Sequence, residues 1–198
     1  MALGRVLVAS GGALLVSLCL VTVPDVGPAV ASTSQTGIVD CRGLAGIIRF
    51  DPPLKNNGTS AEVAELKMTV HGCKASGGGT TPHVGRAIVA LSPATNSCSE
   101  LTSGEIGGAT VVIRWTPTKI GETSVDFPGF TPLTGGEVGF SAGGVGTTVS
   151  GSYAGADAGA SSTATVVSQL STAQLADACR SARGLRSLKI RRGTLDLA

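Results

Sequence analysis

The chain has 198 residues, a formal net charge of +2, 14% charged and 3% aromatic residues, 29 glycines and 5 cysteines. Charge is sparse and glycine abundant, and one tryptophan with one tyrosine is too little aromatic surface for a sugar-stacking platform. There is no G-x-x-x-x-G-K phosphate loop, no G-x-G-x-x-G in a βαβ setting and no histidine-rich metal motif, so no cofactor or metal is expected.

Arg5 precedes an apolar run from Val6 to Val23, followed by Pro24, Pro28 and the triplet Ala29-Val30-Ala31. Charged start, apolar centre and A-x-A ending read as a cleaved signal peptide over 1–31, leaving one domain over 32–198 that is secreted or held at the cell envelope. The competing reading is a retained membrane anchor, since the run is about as long as the shortest spanning helices. Gly11 and Gly12 weaken it as a helix, and the two prolines suit an extended segment offered to a peptidase. Cys19 lies in the run, but Leu18 before it is too large for a lipoprotein cleavage site.

Beyond residue 31 stand Cys41, Cys73, Cys98 and Cys179, an even number that in an oxidising compartment reads as two disulfides with three possible connectivities. The expected pairs are Cys73 with Cys98, closing a short excursion, and Cys41 with Cys179, tying the first strand to the last helical turn. His71, Cys73, His83 and Cys98 form the single cluster with ligand chemistry for zinc, and disulfides take precedence over it in an exported chain.

Short runs of Val, Thr and Ile separated by Gly, Pro, Asn and Ser predict a many-stranded antiparallel domain. The clearest strand is 62–70, where Ala64, Leu66, Met68 and Val70 alternate with Val63, Glu65, Lys67 and Thr69. Ala109, Val111, Ile113 and Trp115 make a second inward face. Further strands are expected at 46–50, 84–91, 124–127, 137–141, 147–153, 163–168, 185–191 and 194–197, with turns at Asp51-Pro52-Pro53, Asn57-Gly58, Gly77-Gly78-Gly79 and Gly135-Gly136. The spacing points to an immunoglobulin-like antiparallel β-sandwich, with a closed eight- or nine-stranded barrel as the competing architecture. One short C-terminal helix is expected. Ser171 and Gln174 form a capping box, Leu175, Ala178, Cys179 and Ala182 share one side, and Gly184 stops it.

Gly139-Phe140-Ser141-Ala142-Gly143 matches the G-x-S-x-G turn of α/β hydrolases, but Gly144-Val145-Gly146 after it is poor helix material, and both histidines, His71 and His83, lie upstream. A chymotrypsin-like order of His71 or His83, Asp126 and Ser141 keeps a secreted serine hydrolase as the alternative function.

Arg180, Arg183, Arg186, Lys189, Arg191 and Arg192 follow one another with no acid among them, carrying +6 in a chain of net +2, so the rest carries −4. Such a segment suits anionic cell-envelope polymers, and an exported location without interleaved aromatics argues against nucleic acid. Its simpler reading is a solvated face with Leu185, Leu188 and Ile190 buried beneath. Asn57-Gly58-Thr59 is a formal glycosylation sequon that also reads as an Asn-Gly turn.

The layout of a first cysteine before Gly46-Ile47-Ile48-Arg49-Phe50-Asp51-Pro52-Pro53-Leu54, then Thr69-Val70-His71-Gly72-Cys73, Ser97-Cys98-Ser99-Glu100-Leu101, Ile113-Arg114-Trp115, Gly151-Ser152-Tyr153-Ala154-Gly155 and a last cysteine before Gly193-Thr194-Leu195 resembles secreted four-cysteine proteins of actinobacteria, of the Streptomyces and mycobacterial kind. The resemblance implies an immunoglobulin-like β-sandwich and carries over no functional residue. The expected function is a non-catalytic interaction or structural protein, partnered by anionic envelope polymers or another secreted protein, with no membrane span once the signal is removed.

Overall fold

The computed structural model describes residues 35–91, 95–103, 106–154 and 161–198; the expected signal peptide lies outside them. Nine strands run in chain order: β1 (Ile38–Leu54), β2 (Val63–Ser76), β3 (Val84–Leu91), β4 (Ile106–Thr116), β5 (Glu122–Pro132), β6 (Glu137–Gly143), β7 (Thr148–Gly151), β8 (Thr163–Ser171) and β9 (Leu185–Leu197). A one-turn helix α1 (Glu100–Ser103) lies between β3 and β4, and α2 (Thr172–Arg180) between β8 and β9.

The immunoglobulin-like sandwich expected from the sequence is not formed. The hydrogen-bonded order β4-β3-β2-β1-β9-β8-β6-β5 returns on itself through β4–β5, so eight antiparallel strands close a barrel, with β7 added on β5. Closure rests on the length of β1. β1 is long enough to pair with β2 from Ile38↔Ser76 to Asp51↔Val63 and, on its other edge, with β9 from Val39↔Leu197 to Ile48↔Leu188. A sandwich would leave open edges there; pairing the first strand to the last removes them.

The barrel interior is a packed core. Ala64, Leu66, Met68 and Val70 of β2 face inward as their alternation predicts, as do Val111, Ile113 and Trp115 of β4. Val39, Cys41, Leu44, Ile48 and Phe50 are all buried on β1, because β1 and β2 change phase together at Arg42 and Gly72, where the ladder skips a pair. Pro52 and Pro53, read as a turn from sequence, lie inside β1. They fall where the pairing with β9 shifts register between Arg49 and Leu54, so the missing N–H groups interrupt no regular ladder. The capping box of α2 forms as expected, Gln174 N–H donating to Ser171 Oγ at 3.2 Å and Ser171 N–H to Gln174 Oε1 at 2.9 Å. The helix ends at Arg180, before Gly184.

The expected disulfide pairing is also overturned: the bridges are Cys41–Cys73 and Cys98–Cys179. Cys41 and Cys73 are register partners on adjacent strands, 3.9 Å apart at Cα. Both lie toward the end of the barrel where β1 starts, whereas Cys98 and Cys179 lie at the other end, beyond Leu54. The expected pairs would each have had to span much of β1, about 40 Å of extended chain.

The end where β1 starts is sealed by an aromatic pair. Trp115 and Tyr153 meet edge to face with ring centres 5.8 Å apart, and Tyr153 is fully buried with its hydroxyl donating to the Thr80 carbonyl. Burial pushes the phenol up to about 12 from its ordinary 10.0. The fold therefore favours the neutral form, and its contribution is complete below pH 10 and lost as pH rises through about 12. Tyr153 is the chain's one tyrosine, so tyrosinate absorbance reads it alone. The expected midpoint is near 12 in the native protein and near 10 in denaturant, and a native midpoint at 10 would place the hydroxyl in water.

Candidate functional site

The opposite end of the barrel, where β1 stops and β2 begins, is covered by the segment 95–103, and its position is fixed by several polar links. Ser97 bridges to Lys55 in parallel, and Lys55 N–H donates to the Asn96 carbonyl at 3.0 Å. Asn96, only 5% exposed, donates through Nδ2 to the Pro53 carbonyl at 3.1 Å and accepts from Ser60 N–H at 3.0 Å. Gly58 sits so close to Asn96 that a Cβ there would overlap its backbone. The Asn57-Gly58 turn is thus fastened, with Asn57 exposed. Cys98 ties the same segment to α2 through Cys179, whose carbonyl accepts from Asn56 N–H at 3.2 Å.

Outside this cover runs a polar groove lined by Pro53, Lys55, Asn57, Ser60, Arg183 and Arg186, with no acid in its wall among the described residues. The structure sorts the basic segment into two groups. Arg180 Nη2 lies 2.6 Å from Asp177 Oδ1, and both Arg191 and Arg192 reach the carboxylate of Glu137, Arg192 at 2.5 Å. Those pairs are exposed and contribute little stability, but they engage three of the six cations, whose two acids, Asp177 and Glu137, offset two of the six charges. Arg183 and Arg186 turn to the groove, where Lys55, directly after β1, joins them, a residue the sequence reading did not single out. Lys189 is exposed on β9 beside Ile47. Leu185, Leu188 and Ile190 are buried beneath the segment, as its pattern implied.

Inside the cover lies a cavity of about 50 Å³ walled by Ile48, Phe50, Leu66, Phe130, Phe140 and Val166. Glu62, directly before β2, also lines it; the residue is 6% exposed and neither carboxylate oxygen has a hydrogen-bond partner among the described residues. Burial, reinforced by the negative charge of Glu100, pushes its carboxyl up to about 7. Glu100, also on the cavity wall, accepts from Thr95 Oγ1 at 2.6 Å. The signal for Glu62 was present in the sequence: it shares the even-numbered phase of Ala64, Leu66, Met68 and Val70, hence the inward face.

The residues of the alternative hydrolase reading are not brought together. Ser141 is on β6 and His71 on β2, separated by three strands in either direction around the ring, and Ser141 Oγ donates to the Thr131 carbonyl at 3.5 Å. His71 lies over Gly43 on the outer surface, and His83 is exposed in the turn before β3. Asp126 accepts from Thr110 Oγ1 at 2.5 Å and from Thr148 Oγ1 at 3.3 Å. Cys73 and Cys98 belong to separate disulfides at opposite ends, so the four-residue zinc cluster is not assembled.

Comparison with known families, with curated proteins and with solved structures finds no match. Fold and site define a disulfide-stapled, closed antiparallel barrel with a covered end, basic outside and acidic-apolar within. Among the described residues no helix is long and apolar enough to cross a membrane.

Proposed function

We propose that this is an exported, non-catalytic binding protein of the cell envelope, and that the groove beside Lys55, Arg183 and Arg186 holds a segment of an anionic polymer. The observation that carries the reading is the convergence of these three cations on one acid-free groove, while Arg180, Arg191 and Arg192 are held by acids. A cation without a local partner keeps its full field for a ligand, and several around a rigid wall bind a polyanion at low entropic cost. Export is supported by the signal-like residues 1–31 and by the two disulfides. The groove floor is fixed by Asn96, so the charges are presented on a preformed surface.

The expected result is that the protein is retained on immobilised polyphosphate, with retention weakening as salt rises. Replacing Lys55, Arg183 and Arg186 with alanine should lower the affinity at least tenfold, whereas replacing Arg191 and Arg192 should lower it no more than about twofold. Equal losses from the two variants would reduce the interaction to net charge and remove the groove as its site.

A further inference from the structure

The cavity inside the covered end is separate from the groove and has a different chemistry. Its walls are aliphatic and aromatic, and Glu62 enters them with two buried oxygens that no donor meets among the described residues. An ionised carboxyl in that position is costly, and among the described residues neither a cation nor an N–H offsets it. Glu100 adds a second acidic group to the same wall, and no basic residue lines it among the described residues. Such a wall repels anions. A group needs roughly 10–15 Å³ of this kind of space to fit as one water-sized unit, so about 50 Å³ holds a chain of roughly three to five heavy atoms.

We propose that this cavity is a binding site for a short aliphatic amine, its ammonium group donating to the Glu62 carboxylate and its hydrocarbon chain lying against Ile48, Phe50, Leu66 and Phe140. The ammonium supplies the missing donors, and the chain removes apolar surface from water in a hollow that is otherwise underfilled. Glu100, on the same wall and partnered by Thr95, adds to the negative potential that favours a cation over a neutral ligand. Leu101 and Thr95 belong to the covering segment, so its seating closes the site.

The test uses n-butylammonium chloride on the disulfide-intact protein, with sodium chloride at equal ionic strength as the salt control and n-butanol as the uncharged isostere. At a hundredfold excess over its dissociation constant, butylammonium is expected to raise the Tm by about 5–10 °C and to shift the carboxyl carbon resonance of Glu62. Butanol should bind at least tenfold more weakly. Glu62→Gln should weaken butylammonium at least tenfold and leave butanol within about twofold. Ala64→Leu, which fills the cavity and leaves Glu62 in place, should abolish binding of both and covers the case in which Glu62→Gln does not fold. Butylammonium binding that survives Ala64→Leu, an affinity no greater than that of butanol, or no binding at all would overturn the site. The variant lacking Lys55, Arg183 and Arg186 should bind butylammonium as the native protein does, which keeps the outcome independent of the polyanion groove.

Discussion

Replacing Cys98 and Cys179 together with alanine is expected to destabilise the protein by about 4.5 kcal/mol, the largest effect of any single crosslink in the chain. The bridge joins residues 81 apart, and closing a loop of that length removes more freedom from the unfolded chain than the 32-residue separation of Cys41 and Cys73, for which the same relation gives about 3.7 kcal/mol. The two loops do not overlap in sequence, so their contributions should add to within about 0.5 kcal/mol when all four cysteines are replaced. Native-state consequences enlarge the difference. Cys41 and Cys73 sit in a ladder whose register is held on both sides by further pairs, whereas Cys98 and Cys179 are the covalent link between the covering segment and α2. Thermal unfolding followed by circular dichroism is expected to show a Tm lower by about 10–15 °C for the Cys98/Cys179 variant and a smaller drop for the Cys41/Cys73 variant. The reverse order would mean that the covering segment is held by its noncovalent contacts. A peptide map without reductant should recover Cys98 joined to Cys179.

The strands themselves were legible where one face is buried and the other wet. β2 and β4 announced themselves by alternation, and Ser171 with Gln174 announced the start of α2. The architecture was not, because inward and outward positions alternate in the same way in a sandwich and in a barrel. What separates them is whether β1 meets β9, a pairing of residues some 150 positions apart for which no local pattern exists. The length of β1 was hidden as well: Asp51-Pro52-Pro53 carries every sign of a turn, yet the prolines occupy a stretch where the ladder to β9 is already shifting. The cysteine pairing was not legible for a related reason: β1 and β2 carry Cys41 and Cys73 together to the end of the barrel opposite Cys98 and Cys179. Of the site, the basic run was visible but not its division, which depends on where Glu137 and Asp177 lie. Lys55 escaped notice because it is over a hundred residues from the arginines it joins.

Trp115→Ala is expected to cost about 3–5 kcal/mol, a large share of the stability of a domain this size. The indole is 2% exposed and fills the end of the barrel opposite the cavity; Gly85, its register partner on β3, leaves the space it occupies, since a Cβ there would lie 2.6 Å from the ring. Lost packing is only part of the effect. Trp115 Nε1–H donates to Thr123 Oγ1 at 2.7 Å, Thr123 donates to the Ser152 carbonyl at 2.5 Å, and Ser152 Oγ donates to the Ile120 carbonyl. This chain of buried donors fastens β4 to β5 and to the turn after β7, where Tyr153 stacks edge-on against the same indole. Thr123→Val separates the two contributions: it keeps the volume, removes the hydroxyl and strands both the indole N–H and the Ser152 carbonyl, for an expected cost of about 2 kcal/mol. Trp115→Phe removes the donor from the other side, and the Trp115→Phe/Thr123→Val double variant should cost less than the sum of the two singles, because the stranded indole N–H is gone. Urea unfolding monitored by circular dichroism measures all three, and strict additivity would show that the indole and the threonine contribute separately.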